Sequence, residues 1–276
     1  MIRNRIKHYL IDLKLILAET KSPLSVVIKF GLKLRPYNII LKSEQNVISG
    51  TESFLIEKMM EAYIVKKSRN SKFVWTNKGK VYTLSGFNSP ATIFSTFFYE
   101  DWKKLNVKEK SVLDIGGYVG DTAIYFIARG AKRVVLYEAY PYSYKIAKSN
   151  VDDNNLADKI EVNNCAIGSE DSFIVIDPNY ENNNESAAVS SLEGIKVPLT
   201  SLKSICNKYS INGWILKMNC EGCEYDVFKN TDLDTLRKFS EIYMHYHGSP
   251  LPLVDKLKKA GFRTVVHDYI FATRGT

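Results

Sequence analysis

No stretch of the sequence approaches the roughly 18 consecutive apolar residues that span a membrane as a helix. Residues 1–20 also lack the unbroken apolar core and small-residue cleavage site of a secretory signal. Both absences point to a cytoplasmic protein. Cysteine is scarce: Cys165, Cys206, Cys220 and Cys223 are the only four in 276 residues, which excludes a disulfide-built scaffold. No internal repeat occurs, and the sole low-complexity tract is Asn182-Asn183-Asn184. With 45% apolar and 25% charged residues, disordered and collagen-like chains are excluded too. What remains is a folded chain long enough for one large domain or two of moderate size.

Charge is plentiful and unevenly placed. Residues 1–110 hold 20 Lys/Arg against 9 Asp/Glu, whereas residues 111–276 hold 18 against 21. A basic arm beside a near-neutral body suits an anionic partner such as nucleic acid, a phosphorylated substrate or a membrane surface, and a solvated surface is the plain alternative. Within the arm, Ile2, Ile6, Tyr9, Leu13 and Ile16 recur at spacings of four and three, which predicts an amphipathic helix. This stripe is expected to pack on the protein's own body or on a second copy in a homo-oligomer, rather than on a membrane. Residues 22–50 carry only a weak pattern. Residues 54–65 predict a second helix, and residues 73–75 and 81–84, joined by Asn77-Lys78-Gly79, predict a hairpin. Residues 94–105 are aromatic and helical in pattern.

From Ser111 the rhythm changes to alternating strands and helices, which implies a parallel sheet. Strands are predicted at 112–115, 134–137, 160–163, 214–218 and 242–245. Helices are predicted at 121–129, 142–154, 202–209, 225–228 and 251–260, and a polar insertion carries a further strand at 173–176.

The run Val112-Leu113-Asp114-Ile115-Gly116-Gly117-Tyr118-Val119-Gly120-Asp121 is an apolar strand ending in an acid, then a glycine-rich turn into a helix. In an open parallel sheet, ligands bind at such turns, and glycine lets backbone approach a ligand closely. A dinucleotide fingerprint fails here: G-x-G-x-x-G would need glycine at position 115, which is Ile, or at 118, which is Tyr. The carboxylate of Asp114 beside the turn would repel a pyrophosphate but suit a cationic ligand, and S-adenosylmethionine carries a sulfonium and an ammonium group. The second strand ends at Tyr137-Glu138, where an acid can accept both ribose hydroxyls of a nucleoside.

These features, with Asn164-Cys165-Ala166-Ile167-Gly168, Val197-Pro198-Leu199-Thr200-Ser201-Leu202 and Leu216-Lys217-Met218-Asn219-Cys220-Glu221-Gly222-Cys223-Glu224, resemble the FkbM family of S-adenosylmethionine-dependent methyltransferases over residues 98–262. The last run is similar to the family's K-x-D-V-E-G-x-E segment. The resemblance implies an α/β fold, a Rossmann-like class I methyltransferase sheet with helices on both faces. A mostly helical N-terminal accessory region with a short hairpin would precede it, dividing the chain at 1–100 and 101–276. It implies methylation of a hydroxyl on a sugar, glycan or small metabolite. Asp114, Gly116, Gly117, Tyr118 and Gly120 would line the methionine end of the cofactor. Glu138 would hold the ribose, backbone around Ala166 would flank the adenine, and Asn219 would stand near the methyl donor where the family usually has Asp. Residues 217–224 would wall the transfer site.

In-line methyl transfer gains mostly from positioning, and a hydroxyl acceptor also profits from a general base. His247, Glu221 and His245, all at strand ends on one sheet edge, are the candidates. Two rival functions stand beside this one: a nucleic-acid methyltransferase, favoured by the basic arm, and a binding module that keeps the cofactor without transfer, favoured by Asn219.

Two other motifs invite chemistry. Cys220-x-x-Cys223 with His245-x-His247 could supply four zinc ligands, but the cysteines fall in the substrate-facing segment and are read as neutral thiols lining a pocket, with no metal expected. Asp177-Pro178-Asn179-Tyr180 resembles the acidic/amide-Pro-Pro-aromatic motif of adenine amino-methylating enzymes, yet lacks the middle proline and reads as a turn.

Overall fold

The computed structural model describes residues 2–69, 72–177 and 194–275. The Asp177–Tyr180 motif beyond its first residue and the asparagine run at 182–184 lie outside them. The chain divides into two compact units, Met1–Asp101 and Trp102–Thr276.

The first unit opens with a helix at Ile2–Glu19. Leu15 and Ile16 are its buried anchors, whereas Tyr9, placed on the apolar stripe by spacing, is 61% exposed. The weakly patterned stretch holds a second helix, Pro23–Gly31, and the antiparallel pair Tyr37–Ile39 and Ile48–Gly50. A third helix, Glu52–Lys67, starts at Thr51, whose hydroxyl accepts from Phe54 N at 3.3 Å, the usual N-cap arrangement. The hairpin forms between Lys72–Asn77 and Lys80–Leu84. Lys78 and Gly79 both take positive φ (48° and 80°), as a two-residue hairpin turn with right-handed strand twist requires. The aromatic segment is a short α-helix (Pro90–Ile93), then a π-helical stretch at Phe94–Tyr99 whose rings close over Tyr63 and Phe73.

Seven strands form the main sheet of the second unit: β1 (Ser111–Ile115), β2 (Arg133–Glu138), β3 (Ile160–Asn164), β4 (Trp214–Met218), β5 (Phe239–His245), β6 (Phe262–Val266) and β7 (Tyr269–Arg274). Their spatial order is β3-β2-β1-β4-β5-β7-β6. β7 runs antiparallel to both its neighbours, and the pairs from β3 to β5 are parallel. The longer helices are α1 (Asp121–Ala128), α2 (Pro141–Asp153), α3 (Leu202–Lys208), α4 (Cys223–Asn230) and α5 (Leu251–Lys259), with a single turn at Leu233–Leu236. This is a Rossmann-like sheet with helices on both faces, the fold that the resemblance implies. Strands covered on both faces need near-continuous apolar runs rather than alternation, and β1, β2 and β4 have them. Leu113, Ile115, Leu216, Met218, Ile242 and Met244 share one face with Leu202, Ile205, Val227 and Leu257 of the helices. Side chains alternate along a strand, so Asp114 and Lys217 point to the other face, where α1 lies.

Strand order reverses between β1 and β4, and in open α/β sheets the ligand crevice opens at the strands' carboxyl ends at such a switch. Register keeps those ends level: Ile115 faces Tyr137 and Met218, and Met218 faces Met244. The two closing strands escaped prediction because both follow α5 in an antiparallel hairpin, with polar residues interleaved. The insertion strand is real, at Ser172–Ile176. It pairs antiparallel with Ile195–Ser201, which in turn pairs parallel with Ala166–Gly168, giving a small separate sheet.

Candidate active site

The glycine turn after β1 packs against the protein itself. Gly116 has φ +70°, and a Cβ there would lie 1.9 Å from the carbonyl oxygen of Asn219, so only glycine lets the loops after β1 and β4 meet. A Cβ on Gly117 would overlap the Leu136 side chain. The close approach expected toward a ligand is, at these two positions, an approach to neighbouring chain. Gly120 (φ +83°) is the N-cap of α1. The turn is pinned from several sides: Gly116 and Gly117 N–H both donate to Tyr137 O, and Asn150 Nδ2 of α2 donates to Val119 O at 2.9 Å.

Asp114 departs from its expected role. It is fully buried, with Lys217 Nζ 2.8 Å from one carboxylate oxygen and the Thr122 hydroxyl donating to the other at 2.6 Å. Asp114 and Lys217 are cross-strand partners in the β1–β4 register. Lys217 Nζ also donates to Gly116 O at 2.7 Å and stands over the Trp102 ring. The acid's charge is therefore met inside the protein, and the pair fastens the glycine turn rather than offering a bare carboxylate to a cation. Lys217, expected to wall the transfer site, is 1% exposed. A signal existed: one charged residue interrupts each of two apolar strand runs at the same level, and buried charges come in pairs.

Glu138 ends β2, 7% exposed. One carboxylate oxygen accepts from Tyr118 N at 2.8 Å and the other from Tyr140 N at 2.9 Å. Burial nevertheless pushes the carboxyl up to about 7, the two backbone donors and Lys217 pulling the other way. With one backbone donor on each oxygen, the carboxylate still has room for further donors, since it offers roughly four lone-pair sites. The loop after β3 lies alongside: Cys165 N and Asn164 Nδ2 donate to Glu138 O, and buried Ala166 follows. Past Tyr140 opens a cavity of about 210 Å³ lined by Tyr140, Pro141, Tyr142, Lys145 and Ile176.

The ends of β4 and β5 carry charge. His247 Nε2 lies 2.9 Å from Glu221 Oε2, and its Nδ1 lies 3.3 Å from Glu224 Oε1. Glu224 is fully buried and accepts from Cys220 N and Gly222 N, so it clamps the turn that carries Glu221. The loop after β4 begins with Asn219, whose N–H donates to Ile115 O. Cys220 and Cys223 are joined as a disulfide, Cα atoms 5.5 Å apart. The reading of these two as neutral pocket thiols is thus corrected: four residues closed by a helix N-terminus bring the sulfurs within bonding reach. His245 does not join the cluster. Its ring packs against Trp102, Tyr243 and Tyr269. Burial, then Lys217 and His247, push its imidazole down to about 4, which leaves it a neutral ring and a weak base.

Residues 114–264 match the profile of the methyltransferase FkbM domain. The chain belongs to the FkbM methyltransferase family. Among relatives of this FkbM chain is uncharacterized protein 158B of Sulfolobus islandicus rod-shaped virus 1, 26% identical over 159 residues, which are 57% of this chain and 73% of the viral one. Among solved structures, methyltransferase FkbM from Methylobacillus flagellatus KT is 16% identical with a TM-score of 0.45, covering 65% of this chain and 47% of that one. The chain therefore spans about half the length of that structure. M. capricolum TrmK in complex with S-adenosyl-homocysteine is 16% identical with a TM-score of 0.38, covering 63% of this chain and 65% of that one.

The fold thus gathers Gly116, Gly117, Tyr118, Gly120, Glu138, Ala166 and Asn219 along one edge, and Glu221 with His247 beside them. The sequence reading missed the Lys217 tie and the Glu224 clamp.

Proposed function

We propose that this FkbM chain transfers the methyl group of S-adenosylmethionine to a hydroxyl oxygen of a sugar, glycan or small metabolite. The observation that carries the cofactor is Glu138, a buried carboxylate beside the glycine turn, held by one backbone donor on each oxygen and with room for more. The two ribose hydroxyls of a nucleoside are donors of the right kind and number. Tyr118 and Tyr140 hold the carboxylate in place, and the backbone near Ala166 flanks the base. Asp114 acts indirectly, holding the glycine turn through Thr122 and Lys217.

The cofactor, when bound, supplies an electrophilic methyl group on a sulfonium. Glu221 is the group placed to take the acceptor's hydroxyl proton, since it is partly exposed at the strand edge. His247 holds Glu221 through Nε2, and Glu224 orients the ring through Nδ1. His247 thereby positions the Glu221 carboxylate, and His245 stays outside the proton path. The test is S-adenosylhomocysteine release with a panel of hydroxylated acceptors, with mass spectrometry for a product heavier by one methyl group. Release that depends on no hydroxylated acceptor, but on RNA, would favour the rival suggested by the lysine-rich first unit.

A further inference from the structure

The Cys220–Cys223 bridge encloses Glu221 and Gly222, both with positive φ (53° and 112°). It joins the loop after β4 to the first residue of α4. Both cysteines are partly buried, and Gly222 between them is exposed. Cys165 and Cys206 stay free, so bridging is particular to this turn. A loop this short restricts the unfolded chain little, because the stabilisation by a disulfide grows with the length it closes. As a staple it is weak, and its place beside Glu221 asks for another explanation. Paired cysteines with two residues between them at a helix start are the arrangement that lends itself to exchange.

We propose that Cys220–Cys223 is a thiol–disulfide exchange site that takes a dithiol reductant, and that its redox state sets Glu221 against His247. The functional meaning of that movement rests on the proton-transfer role assigned above. In the exchange, one thiolate of the dithiol attacks Cys220 Sγ, forming a mixed disulfide and releasing Cys223. The second thiolate of the dithiol then displaces Cys220. Two electrons pass to the protein, the two protons of the dithiol end on the cysteines, and the dithiol leaves as its own disulfide. The covalent tie across the turn is then gone, leaving non-covalent ones such as the bonds that Glu224 accepts from Cys220 N and Gly222 N, and Glu221 is released from its left-handed conformation, which costs a non-glycine residue energy.

The probe is dithiothreitol on the folded, full-length chain, read two ways. Acid quenching, denaturation and alkylation should label two cysteines, Cys165 and Cys206, before treatment and all four after it, and oxidised dithiothreitol should restore the first state. The imidazole resonances of His247, identified by their loss in His247→Gln, should move in step with reduction. They should stay fixed in Cys220→Ser/Cys223→Ser, or in Cys223→Ser if the double variant does not fold. A bridge that opens only on unfolding, four thiols in air-handled protein, or reduction that leaves His247 unmoved would each overturn the proposal. None of these readings needs methyl transfer, so inactivity on every acceptor would count against the proposed function alone.

Discussion

At the carboxyl ends of β1 and β2 the protein presents mostly backbone, whereas at the ends of β4 and β5 it presents charged side chains and a covalent bridge. On the first side, N–H groups of Tyr118 and Tyr140 converge on the single carboxylate of Glu138, and glycines let the loops interlock. On the second side, Glu221, Glu224 and His247 hold one another, with the disulfide across the turn. Backbone geometry suits a ligand whose shape is constant, and an adaptable charged cluster suits a step in which a proton moves. The divide is not complete. Lys217 comes from β4 yet serves the β1 turn, so the two sides are joined through one buried ion pair.

Cutting that join should have the largest effect. Lys217→Met leaves Asp114 buried without its cation, and breaking a buried pair in this way costs about 3–5 kcal/mol. Urea unfolding should show it, with Asp114→Asn/Lys217→Met recovering part of the loss. A single variant as stable as wild type would mean that the two sides are independent.

Next comes the charged side alone. Glu221→Gln should lower turnover by roughly a hundredfold, the lower range for a general base, while leaving S-adenosylhomocysteine affinity within about a factor of three. An equal loss of affinity would erase the distinction between the two sides.

A smaller effect separates them by pH. The Glu138 carboxyl is raised from 4.5 to about 7 in the folded state. The native protein therefore binds more protons between those values, and this group's contribution to stability falls as pH rises through that window. His245 is lowered from 6.5 to about 4, so its contribution runs oppositely, rising with pH from about 4 to 6.5. Unfolding free energies measured from pH 4 to 7.5 should change slope in opposite senses in Glu138→Gln and His245→Gln. The same slope change in both would contradict the assignment.

The backbone-built side was the legible one. A strand ending in Asp114, glycines at 116, 117 and 120, and an acid closing the next strand are local features, and local features survive in sequence. The parallel core strands were readable for the same reason, because burial on both faces writes continuous apolar runs. What stayed hidden was set by register and by distant approach. Asp114 looked like a ligand because Lys217, 103 positions away in the chain, becomes its neighbour only when β1 pairs with β4. His245 and His247 looked equivalent at one strand end, yet one packs among aromatic rings and the other meets two carboxylates. Cys220 and Cys223 could be thiols, ligands or a bridge from spacing alone, and the turn at Glu221-Gly222 decides it.

We propose Glu138 and the glycine turn as the nucleoside site for S-adenosylmethionine. Titration calorimetry with S-adenosylhomocysteine and with NAD, on wild type and on Glu138→Gln, tests it most directly. The amide substitution keeps one acceptor and spares the fold, but removes charge-assisted bonds worth about 1.5–3 kcal/mol. Wild type should bind S-adenosylhomocysteine and not NAD, and Glu138→Gln should bind it roughly 10- to 100-fold more weakly. Tight NAD binding, or unchanged S-adenosylhomocysteine affinity in a folded Glu138→Gln, would contradict the account.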